Sequence, residues 1–298
     1  MRIGILSRAQ HSYATTRLAT AARKRGHRVT LMDPFECALY LASGGPRVTH
    51  RGRSVERLDV LVPRLSSATA AYGLEVVAHF ESSGVPSVNP SDAIATARHK
   101  WRTLRILADS GLPIPASFAA GDPDDLDRAI KRVGGYPFIA KPFHGTGGEG
   151  IMLFETPLTA KSALDTVWNL RQDYVGQRFY AQIESDLRVL VVGSRVLGGM
   201  ERVAREGDFR SNMHRGAMGR AVAVPTEVAD LAISAARAVQ LGIAGVDMLR
   251  VSHGAVVLEV NPSPGFEGFE QVTHHDVADA MIRYAEGLCD PDAPGERP

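Results

Sequence analysis

Three oxygen-bearing side chains late in the chain have the spacing of a metal site. The segment V-V-L-E-V-N-P-S-P-G closes an apolar strand on Glu259, Val260 and Asn261. Side chains alternate along a strand, so Glu259 and Asn261 share a face, roughly 7 Å apart. Asp247 lies in an earlier apolar strand, I-A-G-V-D-M-L. A hairpin turning at Ser252-His253-Gly254 would lay it beside Glu259 and Asn261. Two carboxylates and an amide are hard donors suited to Mg²⁺ or Mn²⁺, which leave other coordination positions to waters and phosphate oxygens. The alternative reading is a pair of strand ends carrying solvated acids.

A second set of residues could grip phosphate. Residues 137 to 151 read P-F-I-A-K-P-F-H-G-T-G-G-E-G-I. Lys141 sits on a strand, followed by Gly145, Gly147, Gly148 and Gly150, and then by a further strand, I-M-L-F. Glycines let backbone N–H groups wrap phosphate oxygens, and the lysine adds a mobile positive charge. The lysine precedes the glycines and a strand follows them, so this is not a Walker A loop. A glycine-rich turn without a ligand is the plain alternative. A polar run, R-E-G-D-F-R-S-N-M-H-R-G-A, adds Arg205, Arg210, Asn212, His214 and Arg215. Arg202, near the end of the preceding strand, and Arg210 are candidates to stabilise charge on a transferring phosphoryl group, a task suited to the fixed fork of guanidinium. Such a run can also be a solvated loop.

These side chains need a scaffold of alternating strands and helices. Apolar Ile3 to Leu6 is followed by a helical stretch from Thr15 to Arg25, a strand V-T-L-M, a strand D-V-L-V-P, an amphipathic segment from Ala70 to Ser83, and V-P-S-V after Gly84. That rhythm predicts βαβ units on a parallel sheet. Ser7-Arg8-Ala9-Gln10 follows the first strand where a dinucleotide fold would carry glycines, which excludes a nicotinamide dehydrogenase. Arg8 and Arg64 fall at the ends of first-domain strands, where they could contact an acceptor carboxylate. Ser91 reads as the N-cap of one helix from about Asp92 to Ser110, stopped by Gly111 and Pro113. From Leu187 the pattern is hairpin-like around Gly193-Ser194, with a helix from near Thr226 and a last helix near Val277 to Leu288 capped by Asp276. Trp101 and Trp168 read as packing residues.

Composition narrows the class. The chain has 298 residues, a net charge of +1, 44% hydrophobic and 22% charged residues, which is the profile of a soluble globular protein with two or three domains. A charge so near zero gives no field toward nucleic acid or an anionic membrane. No apolar run reaches the length of a membrane span and no secretory signal is seen. Cys37 and Cys289 stand alone, as in a reducing compartment. The expectation is a cytoplasmic protein.

Taken together these residues resemble the RimK family of ATP-grasp ligases, which add glutamate to the C-terminus of a ribosomal protein. The likeness runs over nearly the whole chain, through I-L-S-R, V-P-R around Arg64, H-K-W-R-T-L, the lysine and glycine segment, E-R-V-A-R-E-G-D-F-R-S-N-M-H-R-G, A-G-V-D-M-L-R and L-E-V-N-P-S-P-G-F-E-G. It implies an α/β (α+β) ATP-grasp fold with an N-terminal Rossmann-like βαβ pre-ATP-grasp domain over 1–93. A central domain with a glycine flap would span 94–184 and a C-terminal domain with the metal site 185–290, before a disordered tail, 291–298.

Carried over by position, the resemblance has Lys100 and Lys141 contact the phosphates of ATP, with Gly145, Thr146, Gly147 and Gly148 closing over them. Asp186 would lie near the ribose, and Arg210, Ser211 and Asn212 would line the nucleotide site. Asp247, Glu259 and Asn261 would hold two Mg²⁺ or Mn²⁺ ions. The family usually has a Gln-Glu-Tyr-Ile-like hinge, but this chain reads A-Q-I-E-S-D-L-R, which assigns the adenine contact to Gln182, Ile183 and Glu184. The implied reaction joins a carboxylate to an amine through an acylphosphate, releasing ADP and phosphate, with glutamate as the amino acid. The acceptor would be a protein, peptide or small-molecule carboxylate, and family precedent leans toward a homo-oligomer. A biosynthetic peptide ligase and a non-catalytic ATP-binding regulator are the competing readings.

Overall fold

The computed structural model describes residues 1–290 apart from 146, 184, 204–217 and 253. The chain opens with a parallel βαβ unit: β1 (Arg2–Leu6), α1 (Tyr13–Lys24) and β2 (Arg28–Met32). Ser12 starts α1 by accepting the Thr15 amide through its hydroxyl. Three short antiparallel strands follow, β3 (Cys37–Tyr40), β4 (Arg47–His50) and β5 (Arg53–Ser54). They have no counterpart in the sequence reading, because two to four half-exposed residues carry too little periodicity to signal a strand. β6 (Val60–Pro63) then joins β1 in parallel, giving the order β2-β1-β6. α2 (Ala70–Ser82) packs beneath, and the expected V-P-S-V strand contributes only one bridge, Leu61 with Ser87.

The single helix expected from Asp92 to Ser110 is two helices, α3 (Ser91–Arg98) and α4 (Lys100–Asp109). His99 lies between them in an extended conformation and its ring accepts the Arg102 amide at 3.3 Å, restarting the helix. Ser91 is inside α3 instead of capping it, and its hydroxyl donates to Glu81 at 2.6 Å. The break puts Lys100 at the first turn of α4, with its side chain free to leave the helix axis.

β7 (Ser117–Phe118), α5 (Leu126–Arg132), β8 (Phe138–Pro142), β9 (Met152–Phe154), α6 (Pro157–Asn169) and β10 (Tyr174–Arg178) form a small lobe with strand order β7-β10-β8-β9. Its own core gathers Leu126, Ile130, Phe138, Phe154 and Leu164, with Trp168 packed alongside. The last section holds β11 (Ser185–Val192), β12 (Arg195–Val203), β13 (Met218–Val222), α7 (Thr226–Ala238), β14 (Ile243–Val251), β15 (Gly254–Asn261), α8 (Glu267–Thr273) and α9 (Val277–Gly287). These strands make an antiparallel sheet ordered β13-β12-β11-β14-β15. Asp276 caps α9 by accepting the Asp279 amide.

Alternation splits this large sheet into two faces. Leu187, Val189, Val191, Val246 and Met248 pack against α7 and α4. On the opposite face Leu190, Val192 and Met200 join one core with Ile3, Ile5, Val60 and Val62 of the first sheet, through α8 and α9. Buried Asn89 locks the same junction: its amide nitrogen donates to the Ile243 and Pro262 carbonyls at 2.8 Å each, and its oxygen accepts the Ile243 amide at 2.8 Å. No described helix is long and apolar enough to cross a membrane.

Candidate active site

The face of the large sheet that packs on α8 and α9 changes character toward one end. There it carries Asp186 and Arg188 on β11, Arg202 on β12, Asp247 on β14 and Glu259 on β15. Register explains the grouping: Asp186 faces Arg202, Arg188 faces Asp247, and Asp247 faces Glu259 as direct cross-strand partners. A bulge between the Asp247 and Met248 pairings leaves Leu258 as the extra residue of β15. Strict alternation would turn Leu258 away from Glu259, yet both border the same cleft. A bulge re-aims side chains in this way beside functional sites.

The charges form an alternating row. Arg202 donates to both oxygens of Asp186, at 2.6 and 2.5 Å, and reaches Asp247 at 2.9 Å. Arg188 forks onto Asp247 at 2.7 and 2.6 Å. Burial alone would raise the Asp247 carboxyl, but the two guanidinium groups hold it well below the usual carboxylate range. Burial likewise works against the Arg202 cation, and Asp247 with Asp186 more than restores it. Arg202 is 2% exposed and Asp247 3%, so this network has almost no water to share.

The small lobe, together with Lys100 at the start of α4, supplies the opposite wall. Lys141 at the end of β8 donates to Gln177 of β10 at 2.8 Å, and Lys100 donates to the Gly145 carbonyl at 2.7 Å. Burial lowers both ammonium groups from the ordinary lysine range, and the charge of Glu259, on the facing sheet, opposes that in each case. Gly145, Gly147, Gly148 and Gly150 all have positive φ, from 68° to 151°, a conformation in which a side chain is strained. The cleft between the walls encloses roughly 970 Å³, its open mouth included, and Ile139, Phe179, Tyr180, Ile183, Leu249 and Leu258 give it an apolar part.

The structure therefore brings Lys100, Lys141, Gly145, Gly147 and Gly148 to one wall of a cleft and Asp186, Arg202, Asp247 and Glu259 to the other. Of the hinge, Ile183 borders the cleft, whereas Gln182 is exposed and outside its lining. Asn261 also lies outside the lining, and its side-chain oxygen accepts the Ser263 amide at 2.9 Å. Arg8 and Arg64 follow adjacent parallel strands, but Arg8 is exposed, 5.2 Å over the Phe35 ring. Arg64 instead donates to the Pro264 carbonyl at 2.8 Å. Thr146, Glu184, Arg210, Ser211, Asn212 and the tail 291–298 lie outside the described residues. Sequence reasoning missed Arg188 and Gln177; a lone charge inside the apolar run L-R-V-L-V-V was the available signal for the first.

The oxygen donors pass a test of chemistry. A carboxylate offers about four lone-pair directions, and three N–H contacts on Asp247 leave one. Glu259 makes no hydrogen bond or ion pair among the described residues, and the Asn261 oxygen retains a second lone pair. Two carboxylates and an amide suit an ion that keeps waters and phosphate oxygens in its remaining positions.

Comparison with known proteins agrees along the whole length. A RimK-like ATP-grasp domain matches residues 97–285, and a RimK pre-ATP-grasp domain matches residues 1–94. The chain belongs to the RimK-like ATP-grasp family. A Serratia proteamaculans (strain 568) relative named "Probable alpha-L-glutamate ligase" is 42% identical over 287 residues, covering 96% of each chain. One of the same name from Vibrio atlanticus (strain LGP32) is 39% identical over 294 residues, 98% of each. Among solved structures, the ATP-grasp ligase PsnB complexed with a phosphomimetic variant of its minimal precursor, Mg and ADP superposes with a TM-score of 0.73 at 21% identity, over 97% of this chain and 98% of PsnB. The macrocyclase MdnC bound with precursor peptide MdnA, from Microcystis aeruginosa MRC, gives 0.74 at 15% identity, over 96% and 99%. These two likenesses establish an ATP-grasp fold, the mixed α/β architecture expected for the family.

Proposed function

We propose that the protein is an ATP-dependent carboxylate–amine ligase that adds glutamate to the C-terminal carboxylate of a protein or peptide. One observation carries the reading most: paired lysines and a positive-φ glycine segment face Asp247 and Glu259 across a single cleft. The full-length relatives named alpha-L-glutamate ligases support glutamate as the amino acid. In this reading the division into units at 1–93, 94–184 and 185–290 separates an acceptor side, a nucleotide lobe and a metal-bearing sheet.

Each residue then has a task. Lys100 and Lys141 bind the phosphates, and their lowered proton affinity reflects a site built to gain from an incoming anion. Gly145 to Gly148 bring backbone N–H groups to the same oxygens and close the cleft against water. Adenine lies against Ile183 and its apolar neighbours, and Asp186 faces the ribose. Asp247, Glu259 and Asn261 hold the magnesium ions, which when bound neutralise charge on the phosphates. The acceptor carboxylate attacks the γ-phosphoryl group, ADP departs, and the amine then attacks the acyl carbon with loss of phosphate. Arg202, and Arg210 outside the described residues, place fixed positive charge near the reacting oxygens. Arg8 and Arg64 face the acceptor.

The test is acceptor-dependent ADP release with ATP, Mg²⁺ and labelled glutamate, followed by mass spectrometry of the labelled product. Labelling by another amino acid instead would refute glutamate. ADP release that ignores both amino acid and acceptor would refute ligation.

A further inference from the structure

Several buried or half-buried arginines in this chain meet acids. Arg17 has Glu270, Arg188 has Asp247, and Arg202 has Asp186 and Asp247. Two arginines at the seam between β6 and the segment after β15 have no acidic partner among the described residues. Arg64 makes one hydrogen bond, to the Pro264 carbonyl at 2.8 Å, and Arg98 makes one, to the Leu65 carbonyl. Burial pushes the Arg64 guanidinium down to about 10 and lowers that of Arg98, with no carboxylate opposing it in either case. A guanidinium has five N–H donors, so most of both forks is uncommitted.

A separate observation falls at the same place. Among the described residues, the buried side-chain polar atoms without a hydrogen-bond partner are Arg98 Nε and Ser263 Oγ. They belong to one chain of contacts. Arg98 holds the carbonyl of Leu65, Leu65 follows Arg64, and Arg64 holds the carbonyl of Pro264, which follows Ser263. Buried polar atoms are normally satisfied, so an orphaned one calls for a reason such as strain, a catalytic role or a bound water, ion or ligand. The seam adjoins the cleft: Arg98 lies close enough to Lys100 for its charge to lower that ammonium group, and the Ser263 amide bonds the Asn261 side chain.

We propose that Arg64, Arg98 and Ser263 form a binding site for a substrate carboxylate that does not react. The inference rests on the ligation reading, in which both substrates carry carboxylates that must be held away from the γ-phosphate. Planar forks match a planar carboxylate in two-point contact, and the serine hydroxyl supplies a further donor. Phosphate has its own cations in Lys100 and Lys141. The anchored carboxylate belongs to the amino acid or to the acceptor, and kinetics separates the two.

The experiment measures KM for glutamate, for an acidic acceptor peptide and for ATP in wild type, Arg98→Gln and Ser263→Ala. Arg98→Gln should raise one of the two carboxylate KM values by roughly 10–100-fold, the loss expected for charged hydrogen bonds, with a change in KM for ATP of no more than about threefold through Lys100. Ser263→Ala should raise the same KM by about threefold. It removes only a hydroxyl without a partner, so it guards against a folding defect in Arg98→Gln. Thermal melts with glutarate, a dicarboxylate lacking an amine, give a readout independent of turnover. Glutarate should stabilise the wild type and lose that effect in Arg98→Gln. The proposal is overturned if both carboxylate KM values stay at wild-type levels in Arg98→Gln, or if glutarate stabilises that variant as much as wild type. Absence of amino-acid-dependent ADP with the glutarate effect intact would sink the ligation reading and leave the carboxylate site standing.

Discussion

Replacing Asp247 by asparagine probes the charge balance of the site directly. Arg188, Asp247, Arg202 and Asp186 alternate in sign and sum to zero, with Asp247 and Arg202 nearly fully buried. Asparagine keeps the shape and removes one negative charge, leaving Arg202 with Asp186 and Arg188 without the carboxylate it forks onto. Breaking a buried ion pair from one side costs about 3–5 kcal/mol, whereas an exposed pair such as Arg128–Asp125 is worth at most about 1. At about 2.1 cal/mol/K per residue, a chain of 298 residues shifts by about 1.6 °C per kcal/mol, so the midpoint should fall by roughly 5–8 °C. Asp247→Asn combined with Arg188→Met restores neutrality and should recover most of that loss, while turnover stays absent in both. Thermal and urea melts of wild type, the two single variants and the double variant close the cycle. The sign of the pH dependence is also fixed. With its folded carboxyl held low, Asp247 contributes its full stabilisation at neutral pH and loses it as pH falls through the ordinary carboxylate range toward the depressed value. The deficit of Asp247→Asn should therefore shrink in acid. A single variant that melts with wild type, or a double variant no more stable than the single, would refute the reasoning.

Lys141→Met should weaken ATP binding by roughly 10–100-fold in titration calorimetry, with little change in the melting midpoint of the free protein, because the charge removed is one that burial disfavours. In wild type, ATP affinity should decline as pH rises through the lowered lysine value, earlier than an ordinary lysine would titrate. The nucleotide-free protein should gain stability over that same interval, since the unfolded lysine then binds more protons than the folded one. Gly147 has φ of 68° and open space where a Cβ would lie, so Gly147→Ala suffers backbone strain alone. About 1–2 kcal/mol of strain should slow turnover roughly 5–30-fold, while the global midpoint falls by no more than about 3 °C. Asn89→Ala strands the Ile243 and Pro262 backbone groups and should cost about 2–4 kcal/mol in urea unfolding.

The parts of this molecule that sequence made legible are those with long, regular signals. Val189 and Val191, alternating with charge at Arg188 and a turn at Gly193, specify the β11–β12 hairpin, and the Asp247–Glu259 pairing follows from the turn at Ser252 to Gly254. Lys141 and the glycines that follow it stood out as a candidate phosphate grip from residue type and order. What stayed hidden depends on context beyond the strand. The bulge at Leu258 is a register event decided by the partner strand. The break at His99 follows from a ring capping the next turn and from Lys100 being drawn to Phe143 and Gly145. Local propensity cannot weigh such a tertiary pull. Arg188 and Gln177 were missed as site residues because their roles come from what they reach across a sheet, Asp247 in one case and Lys141 in the other; only Arg188, a charge in an apolar run, left a signal.

The shared core beneath α8 and α9 divides the molecule mechanically. Prising the first sheet from the large one would tear apart a continuous apolar interior and wet Asn89, so those two sections behave as a single anvil. The lobe of β7 to β10 keeps a private interior. It meets the anvil where Lys100 bonds Phe143 and Gly145 and the His99 ring lies beside Phe143 and His144. On the proposed ligation reading, admission and retention of nucleotide would fall to this one light hammer, and damage at the Asn89 junction should misalign the striking surface without loosening the hammer.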